Sequence, residues 1–131
     1  MRHLLTLVFL ILPSVLPAQE SVTTACRDVK TTLDMERCAS RDLKDAKRDL
    51  ARYLQEAHRF ANSRALLDST QAAWERFRDM ACRAAGTQYE GGTIRPLVVV
   101  SCLMDLTRKR TRELYEHYLR NMDTKLSQPK P

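Results

Sequence analysis

The sequence predicts an all-α protein: a small up-and-down helical bundle of three long helices plus a short N-terminal helix, with two disulfides. The chain has 131 residues, and its three glycines all fall within residues 86–92. Most of the remaining sequence consists of good helix formers. Apolar residues recur along it at steps of three and four, which is the spacing of one helix face. Its four cysteines follow a predicted export signal, and this combination favours disulfide bonds.

The first residues have the layout of a secretory signal peptide. Arg2 supplies a basic start, the run from Leu4 to Leu12 is apolar except for one threonine, and Ala18 offers a small residue for cleavage. The alternative is a membrane anchor, but such a helix needs about 20 apolar residues, roughly twice the length of this run. We therefore predict a signal peptide over residues 1–18, cleaved after Ala18, and a periplasmic or secreted protein.

Residues 19–121 are predicted to form one helical domain, and residues 122–131 a flexible C-terminal tail. The first long helix is expected from about Ser40 to Ala61, after a short helix or turn between the first two cysteines. An apolar stripe at helical spacing defines its inward face. The stripe consists of Leu43, Ala46, Leu50, Tyr53, Leu54, Ala57 and Phe60.

The second helix is expected from Arg64 to Ala85. Ser63 precedes it as a suitable N-cap, and Gly86 follows it as a left-handed C-terminal stop. Its predicted inward face contains the single tryptophan of the chain and consists of Leu67, Thr70, Trp74, Phe77 and Ala81.

The third helix is expected to begin with Thr93 as its cap and Pro96 in its first turn, and to end near Asn121. A strand over residues 98–100 is the alternative, but this valine run is short and has no partner run. The inward stripe also carries Arg110, which would either extend to solvent or pair with a carboxylate such as Asp79. The apolar members of this stripe are Leu103, Leu106, Leu114 and Tyr118.

The four cysteines are separated by 12, 44 and 20 residues, which does not match metal-ligand spacing. A catalytic thiol would need a neighbouring base, and none is evident. Disulfides allow three connectivities. A helical hairpin brings Cys82 beside Cys102, while Cys26 and Cys38 would lie about 18 Å apart on a continuous helix. The favoured pairing, Cys26–Cys38 with Cys82–Cys102, therefore requires a bend near residues 31–32.

Composition and motifs limit the classes of function. The sequence has no metal motif, no phosphate-binding loop and no catalytic constellation, so we predict no cofactor, no metal and no enzyme activity. The net charge of +6 falls to +5 when Arg2 is removed with the signal peptide. Because the protein is expected outside the cytoplasm, nucleic acid is not a predicted partner. The basic run from Arg108 to Arg112 is either a solvated face or a contact for an anionic membrane surface. The sequence carries no signal for an oligomeric state.

The segment between the second and third helices is the candidate partner-binding loop. It presents Tyr89 and Glu90 beside Gly91 and Gly92, and the predicted Cys82–Cys102 bridge would hold both of its ends. A constrained loop of this kind suits insertion into a partner's cleft, because little conformational entropy remains to be lost. The alternative is an ordinary connector between two helices.

The residues just described, taken in order, resemble the LprI lysozyme-inhibitor family, N-terminal domain type. The resemblance rests on Cys26 and "TTLDMERC", on "LLDSTQAAWERFRDMAC", on "GGTIRP" and Cys102, and on "TRKRTREL". It implies a small, helical, disulfide-bonded protein of the bacterial cell envelope and, for some members, inhibition of lysozyme. One departure is Ala51, where the family usually has Asn after Leu50. The residues that carry the family motif are Gln71, Trp74, Arg78, Asp79, Thr107, Arg110 and Leu114.

Two hypotheses follow for the function. The first is an exported cell-envelope binding protein that blocks a lysozyme (muramidase) by occluding its cleft. The second is a structural or adaptor protein of the envelope, which binds another envelope protein or anionic lipid without inhibitory activity. A positively charged protein gains no long-range attraction to a basic lysozyme, so the first hypothesis depends on local contacts such as those of Glu90.

Overall fold

The computed structural model describes Cys26 and residues 29–129, and the predicted signal peptide lies outside these residues. Three helices follow one another: α1 (Thr32–Phe60), α2 (Arg64–Thr87) and α3 (Arg95–Leu114), with a π-helical turn at Tyr115–Leu119. No strand occurs in this described part, so the all-α prediction is confirmed, and residues 98–100 are helical. None of its helices has the length and apolar character needed to cross a membrane.

Helix α1 begins earlier than the sequence predicts. Thr31 is its N-cap, with an extended backbone (φ −121°, ψ 156°) and a side-chain oxygen that accepts a hydrogen bond from the Asp34 amide. Nothing interrupts the helix at Ser40, so residues 32–39 are its first turns and not a separate short helix. The predicted bend is present at Thr31, and it places Cys26 within bonding distance of Cys38, with their Cα atoms 5.7 Å apart.

Helix α3 is the central element of the bundle. Helix α1 packs along α3 and the π-helical turn, while α2 packs on α3. The predicted inward face of α1 is confirmed, because its stripe is buried or partly buried against the neighbouring helices. The innermost cluster draws on all these elements and consists of Leu50, Tyr53, Ala57, Leu67, Leu114 and Leu119.

Helix α2 is rotated relative to the prediction. Leu67 is buried as expected and Trp74 is partly buried, but Thr70 and Phe77 are exposed to solvent. Other positions point inward in their place, and most of these are polar or small. The buried residues of α2 are Leu67, Gln71, Arg78, Cys82 and Gly86.

Two contacts fix α2 against α3 at the loop end of the hairpin. The Cys82–Cys102 disulfide joins the helices with a Cα–Cα distance of 5.5 Å. One turn further on, the position that a Cβ of Gly86 would occupy lies 2.6 Å from Cγ2 of Val99. Gly86 is therefore not a left-handed stop, since α2 continues to Thr87; it is a point of close helix approach.

The start of α3 also differs from the prediction. Ile94 is the N-cap and makes no side-chain cap hydrogen bond, so Thr93 does not cap the helix. Pro96 does lie in the first turn, where its missing N–H leaves no hydrogen bond unmade.

Residues 120–129, which follow the π-helical turn, fold back onto α1. The Tyr53 hydroxyl donates a hydrogen bond of 2.5 Å to the Ser127 carbonyl, and burial raises the pKa of Tyr53. The Thr124 hydroxyl donates to Oε1 of Glu56 at 2.9 Å, and Leu126 packs against the core cluster. These contacts join the C-terminal segment to the middle of α1.

Replacing Gly86 by alanine should destabilise the protein by about 1–2 kcal/mol. Overpacking against the stiff, β-branched Val99 side chain costs about 1–3 kcal/mol, and the higher helix propensity of alanine offsets up to about 1 kcal/mol of this cost. Urea unfolding measures the change, and the Gly86→Ala/Val99→Ala double variant should recover part of it relative to Val99→Ala alone. A single Gly86→Ala variant that is more stable than the wild type would contradict the close approach.

Replacing Thr124 by valine should raise the pKa of Glu56. Hydrogen bonds from Arg59 and Thr124 now hold this pKa below its ordinary value of 4.5, and one of them would be lost. A lowered folded-state pKa contributes stability above the unfolded pKa, and this stability disappears as the pH falls through the folded value. Titration of the Glu56 carboxyl by NMR tests the prediction, with the exposed Thr93→Val as the control. An unchanged pKa in Thr124→Val would mean that the segment does not rest on α1 in solution.

Candidate functional site

Residues that the sequence singles out gather in two separate places. One is the hairpin loop, residues 88–94, which connects α2 to α3. The other, the motif cluster, lies at the middle of the α2–α3 interface around Trp74. Ten residues of chain, about 15 Å of helix, separate Arg78 from Gln88, so the structure does not bring the two places together.

The hairpin loop is a series of tight, hydrogen-bonded turns. The amides of Tyr89 and Glu90 donate to the carbonyls of the last α2 turn at 3.1 and 3.3 Å, and the Gly92 amide donates to the Tyr89 carbonyl at 3.0 Å. Gly91 adopts a left-handed backbone (φ 76°), which costs glycine little. The Arg95 amide closes the series by donating to the Gly92 carbonyl at 3.2 Å. The backbone of the loop is therefore held in one shape.

The side chains of this loop point into solvent. Tyr89 is 45% exposed, and both glycines that follow Glu90 are also exposed. The Glu90 carboxylate has a single ion-pair partner in the described part of the chain, Arg95 at 3.7 Å, and both side chains remain largely in water. An exposed pair at this distance contributes little stability, so a partner molecule can replace it at small cost.

The motif cluster is organised around the ring of Trp74. The guanidinium carbon of Arg78 lies 5.1 Å from the ring centroid, and that of Arg110 lies 5.8 Å from it. Both distances allow a cation–π attraction, which is typically worth about 0.5–2 kcal/mol. Trp74 therefore joins an arginine of its own helix to an arginine of α3.

Arg78 is the most deeply placed charge, with only 8% of the residue exposed. Its Nε and Nη2 donate to Oδ1 of Asp79 at 2.9 and 2.8 Å, and its Nη1 lies 3.5 Å from Oγ1 of Thr107. Thr107 is fully buried and donates its hydroxyl to the Leu103 carbonyl at 2.6 Å. The Arg78 side chain thus connects α2 to the backbone of α3 through one threonine.

Arg110 forms the second half of the cluster, but not with the predicted partner. Its Nε donates to Gln71 at 3.1 Å and its Nη1 to Glu113 at 3.3 Å, whereas Asp79 is bonded to Arg78. Gln71 in turn donates to Glu75 at 3.2 Å. The sequence prediction did not include Glu75 or Glu113, although their positions four residues after Gln71 and three after Arg110 are the usual spacing for helix side-chain pairs.

The remaining motif residue, Leu114, belongs to the apolar core and is 1% exposed. Each arginine of the cluster has a carboxylate partner, so the cluster carries no excess positive charge. In the described part of the chain, no buried side-chain nitrogen or oxygen lacks a hydrogen-bond partner. The motif residues therefore clamp α2 onto α3, and no unsatisfied group in the cluster invites a ligand.

A groove of about 470 Å³ between α1, α3 and the C-terminal segment is a third candidate place. It contains Asp42, Asp45 and Asp49, but each of these aspartates has an arginine of α1 within 4 Å. Across the described residues, no three side chains of the metal-ligating types lie close enough to share an ion. The groove is thus a mixed-charge surface, with no ligand set of its own.

Replacing Arg78 by methionine should cost about 2 kcal/mol of unfolding free energy. The methionine keeps part of the apolar stem but loses the cation–π contact and the bond to Thr107, while Asp79 stays solvated and incurs little penalty. Urea unfolding followed by the fluorescence of Trp74, the single tryptophan, measures the change. The matched control is Arg76→Met on the exposed side of α2, expected within about 0.5 kcal/mol of wild type. Equal effects of the two variants would contradict the clamp.

The family to which the chain is related is established by comparison with known proteins. The family model described as lysozyme inhibitor LprI matches residues 23–114, more than half of the chain. An uncharacterized protein of Rhizobium meliloti (strain 1021) is 32% identical over 106 residues, a match that covers 70% of this chain and 76% of the relative. No solved structure matches the chain. With the two disulfides and the motif cluster in place, this chain belongs to the LprI lysozyme inhibitor family.

Proposed function

We propose that the protein inhibits a lysozyme-type muramidase by inserting the hairpin loop into the substrate cleft of the enzyme. Membership of the LprI family supports an inhibitory protein that binds another protein, and the disulfides together with the family indicate export. We further propose that it acts in the periplasm or outside the cell, where cell-wall-degrading enzymes would be met. The observation that carries the choice of site is the exposed and rigidly held loop between α2 and α3.

Rigidity is the first argument for this loop. Binding a flexible segment would cost ordering entropy, and the four backbone hydrogen bonds of this loop reduce that cost in advance. The Cys82–Cys102 bridge and the contact between Gly86 and Val99 hold the last turn of α2 against the first turns of α3. Both ends of the loop are consequently fixed relative to the bundle.

The chemistry of the loop is the second argument. Tyr89 provides a rigid aromatic surface with a hydroxyl at its tip, a residue type that is enriched among the strongly contributing positions of protein interfaces. Glu90 provides the single carboxylate of residues 88–94. Its weak pair with Arg95 can be exchanged for a cationic group at the rim of the cleft. The glycines beside them allow the backbone to approach the enzyme closely.

Tyr89→Ala and Glu90→Lys should each weaken inhibition by about tenfold or more, because each removes a central contact of the inserted loop. The measurement is the clearing of bacterial cell-wall suspensions by several lysozyme types at increasing concentrations of the inhibitor. Met122→Ala and Asp105→Lys are matched controls: both residues are exposed and lie away from the loop, Met122 in the segment after the π-helical turn and Asp105 at the middle of α3. Neither control should change the inhibitory potency.

Two outcomes would contradict the proposal in different ways. If the folded wild-type protein slows none of the lysozyme types at micromolar concentration, the alternative of a structural or adaptor protein of the envelope gains support. If inhibition is present but is unchanged in Tyr89→Ala and Glu90→Lys, the inhibitory contact lies elsewhere on the bundle.

A further inference from the structure

The side of α2 that faces away from α3 carries a row of four exposed apolar residues. Leu66, Phe77 and Met80 are 64%, 56% and 59% exposed, and the exposed Ala73 lies between them on the same face at helical spacing. These four residues form what we call the outer face of α2. The face spans about 21 Å from Leu66 to Met80. Scattered exposed apolar residues are ordinary, whereas an aligned row on one helix marks an interaction surface.

The attachment of α2 to α3 explains why these residues are exposed to solvent. The disulfide and the arginines of the motif cluster occupy the inner side of α2, so the large apolar residues of the same helix are left on the outer side. Turning Phe77 inward would require Arg78 and Cys82 to turn outward. The exposure of the outer face is therefore built into the bundle and is not the result of a loose helix.

The acidic residues of α2 are all paired. Its three acidic residues all have partners on the rest of the bundle or within α2: Asp68 contacts His58 at 2.7 Å, Glu75 accepts from Gln71, and Asp79 is bonded to Arg78.

Two arginines lie at the edge of the outer face. Arg76 and Arg83 are exposed, are seven residues apart on one flank, and have no ion pair within the described part of the chain. They lie about 10 Å apart along the helix axis. The outer face is thus apolar in its centre and cationic at its rim, and the carboxylate nearest to this rim along the helix, Asp79, is bonded to Arg78.

We propose that the outer face of α2 docks on an anionic phospholipid surface, with Leu66, Phe77 and Met80 inserted at the interface and both arginines at the level of the phosphates. A helix face that is apolar in the middle and basic at the flank is the arrangement found in helices that lie in the plane of a membrane. Arginine side chains can extend along such a face to place their charge at the lipid headgroups.

Charge complementarity selects this occupant over two others. A second copy of the chain would bring two arginine rims and two positive net charges together, which opposes pairing. A basic muramidase is disfavoured on the outer face for the same reason. The outer face is also the convex surface of a single helix, which fits a planar interface without a matching groove.

Sedimentation with vesicles tests the proposal. The full protein, purified after export, should bind vesicles of equal parts phosphatidylglycerol and phosphatidylcholine, and should bind pure phosphatidylcholine at least about tenfold more weakly. Phe77→Ser/Met80→Ser and Arg76→Glu/Arg83→Glu should each lower binding to the anionic vesicles by about tenfold or more. All four replaced side chains are exposed, so circular dichroism should show an unchanged fold.

Matched control variants on α1 distinguish binding through the outer face from nonspecific hydrophobic adsorption and from the effect of net charge. Leu33→Ser/Met35→Ser removes two other exposed apolar residues, and Lys44→Glu/Lys47→Glu makes the same change in net charge as the arginine pair. Both controls should retain the larger part of the binding. Equal losses in the controls and in the α2 variants would overturn the proposal.

Other results would also overturn it and would assign the face to a different partner. A dimer in light scattering that Phe77→Ser/Met80→Ser dissolves, without vesicle binding by the wild type, would assign the outer face to a second copy. Loss of lysozyme inhibition in that variant would assign it to the enzyme. Lipid binding does not depend on the hairpin loop, so Tyr89→Ala should leave sedimentation unchanged, and Glu90→Lys, which adds positive charge, should not lower it, whether or not these variants affect inhibition.

Discussion

The attachment of α2 to α3 is the constraint on which the rest of this structure depends. Helices α1 and α3 are held together largely by apolar burial, but α2 faces α3 mainly with a cysteine, a glycine, an arginine and a glutamine. A covalent bridge over a separation of 20 residues restricts the unfolded chain and contributes about 3 kcal/mol by loop entropy. The close approach at Gly86 and the bonds of the motif cluster then fix how α2 is turned. This rotation determines both where the hairpin loop points and which residues of α2 meet solvent.

Polar contacts of this kind specify an arrangement more than they add stability. A buried arginine must recover its lost hydration through hydrogen bonds, and Arg78 does so through Asp79 and Thr107. An incorrect rotation of α2 would break the two hydrogen bonds of the motif cluster that cross to α3, from Arg78 to Thr107 and from Arg110 to Gln71. An apolar interface of similar area would tolerate small rotations more easily. The fixed rotation of α2 also fixes the position of the hairpin loop, because the loop directly follows this helix.

The sequence predicts the parts of the fold that depend on strong periodic patterns. The stripe of α1 is long and apolar, so its inward face is correctly predicted, and the disulfide pairing follows from the hairpin. Helix α2 is harder, because Leu67, Trp74 and Phe77 suggest one face while Leu67, Arg78 and Cys82 define another. The cysteine was the deciding signal: a residue bonded to α3 must lie on the inner side, and positions 67, 71, 78, 82 and 86 share that side at helical spacing. The use of Gly86 as a contact point could not be predicted, since it depends on Val99 of another helix.

The hairpin loop and the outer face of α2 differ in charge, and this limits which partners each surface can bind. The hairpin loop offers one weakly paired carboxylate, while the rim of the outer face offers two arginines without a carboxylate partner in the described residues. A single partner of one charge sign would be attracted to one surface and repelled by the other. Two different partners therefore fit the molecule better than one. Since a positive net charge gives no attraction toward a basic enzyme, the proposed encounter with a muramidase would not be steered. Retention at an anionic surface, with the rigid loop free, would offset this by raising the local concentration of the inhibitor where the enzyme acts.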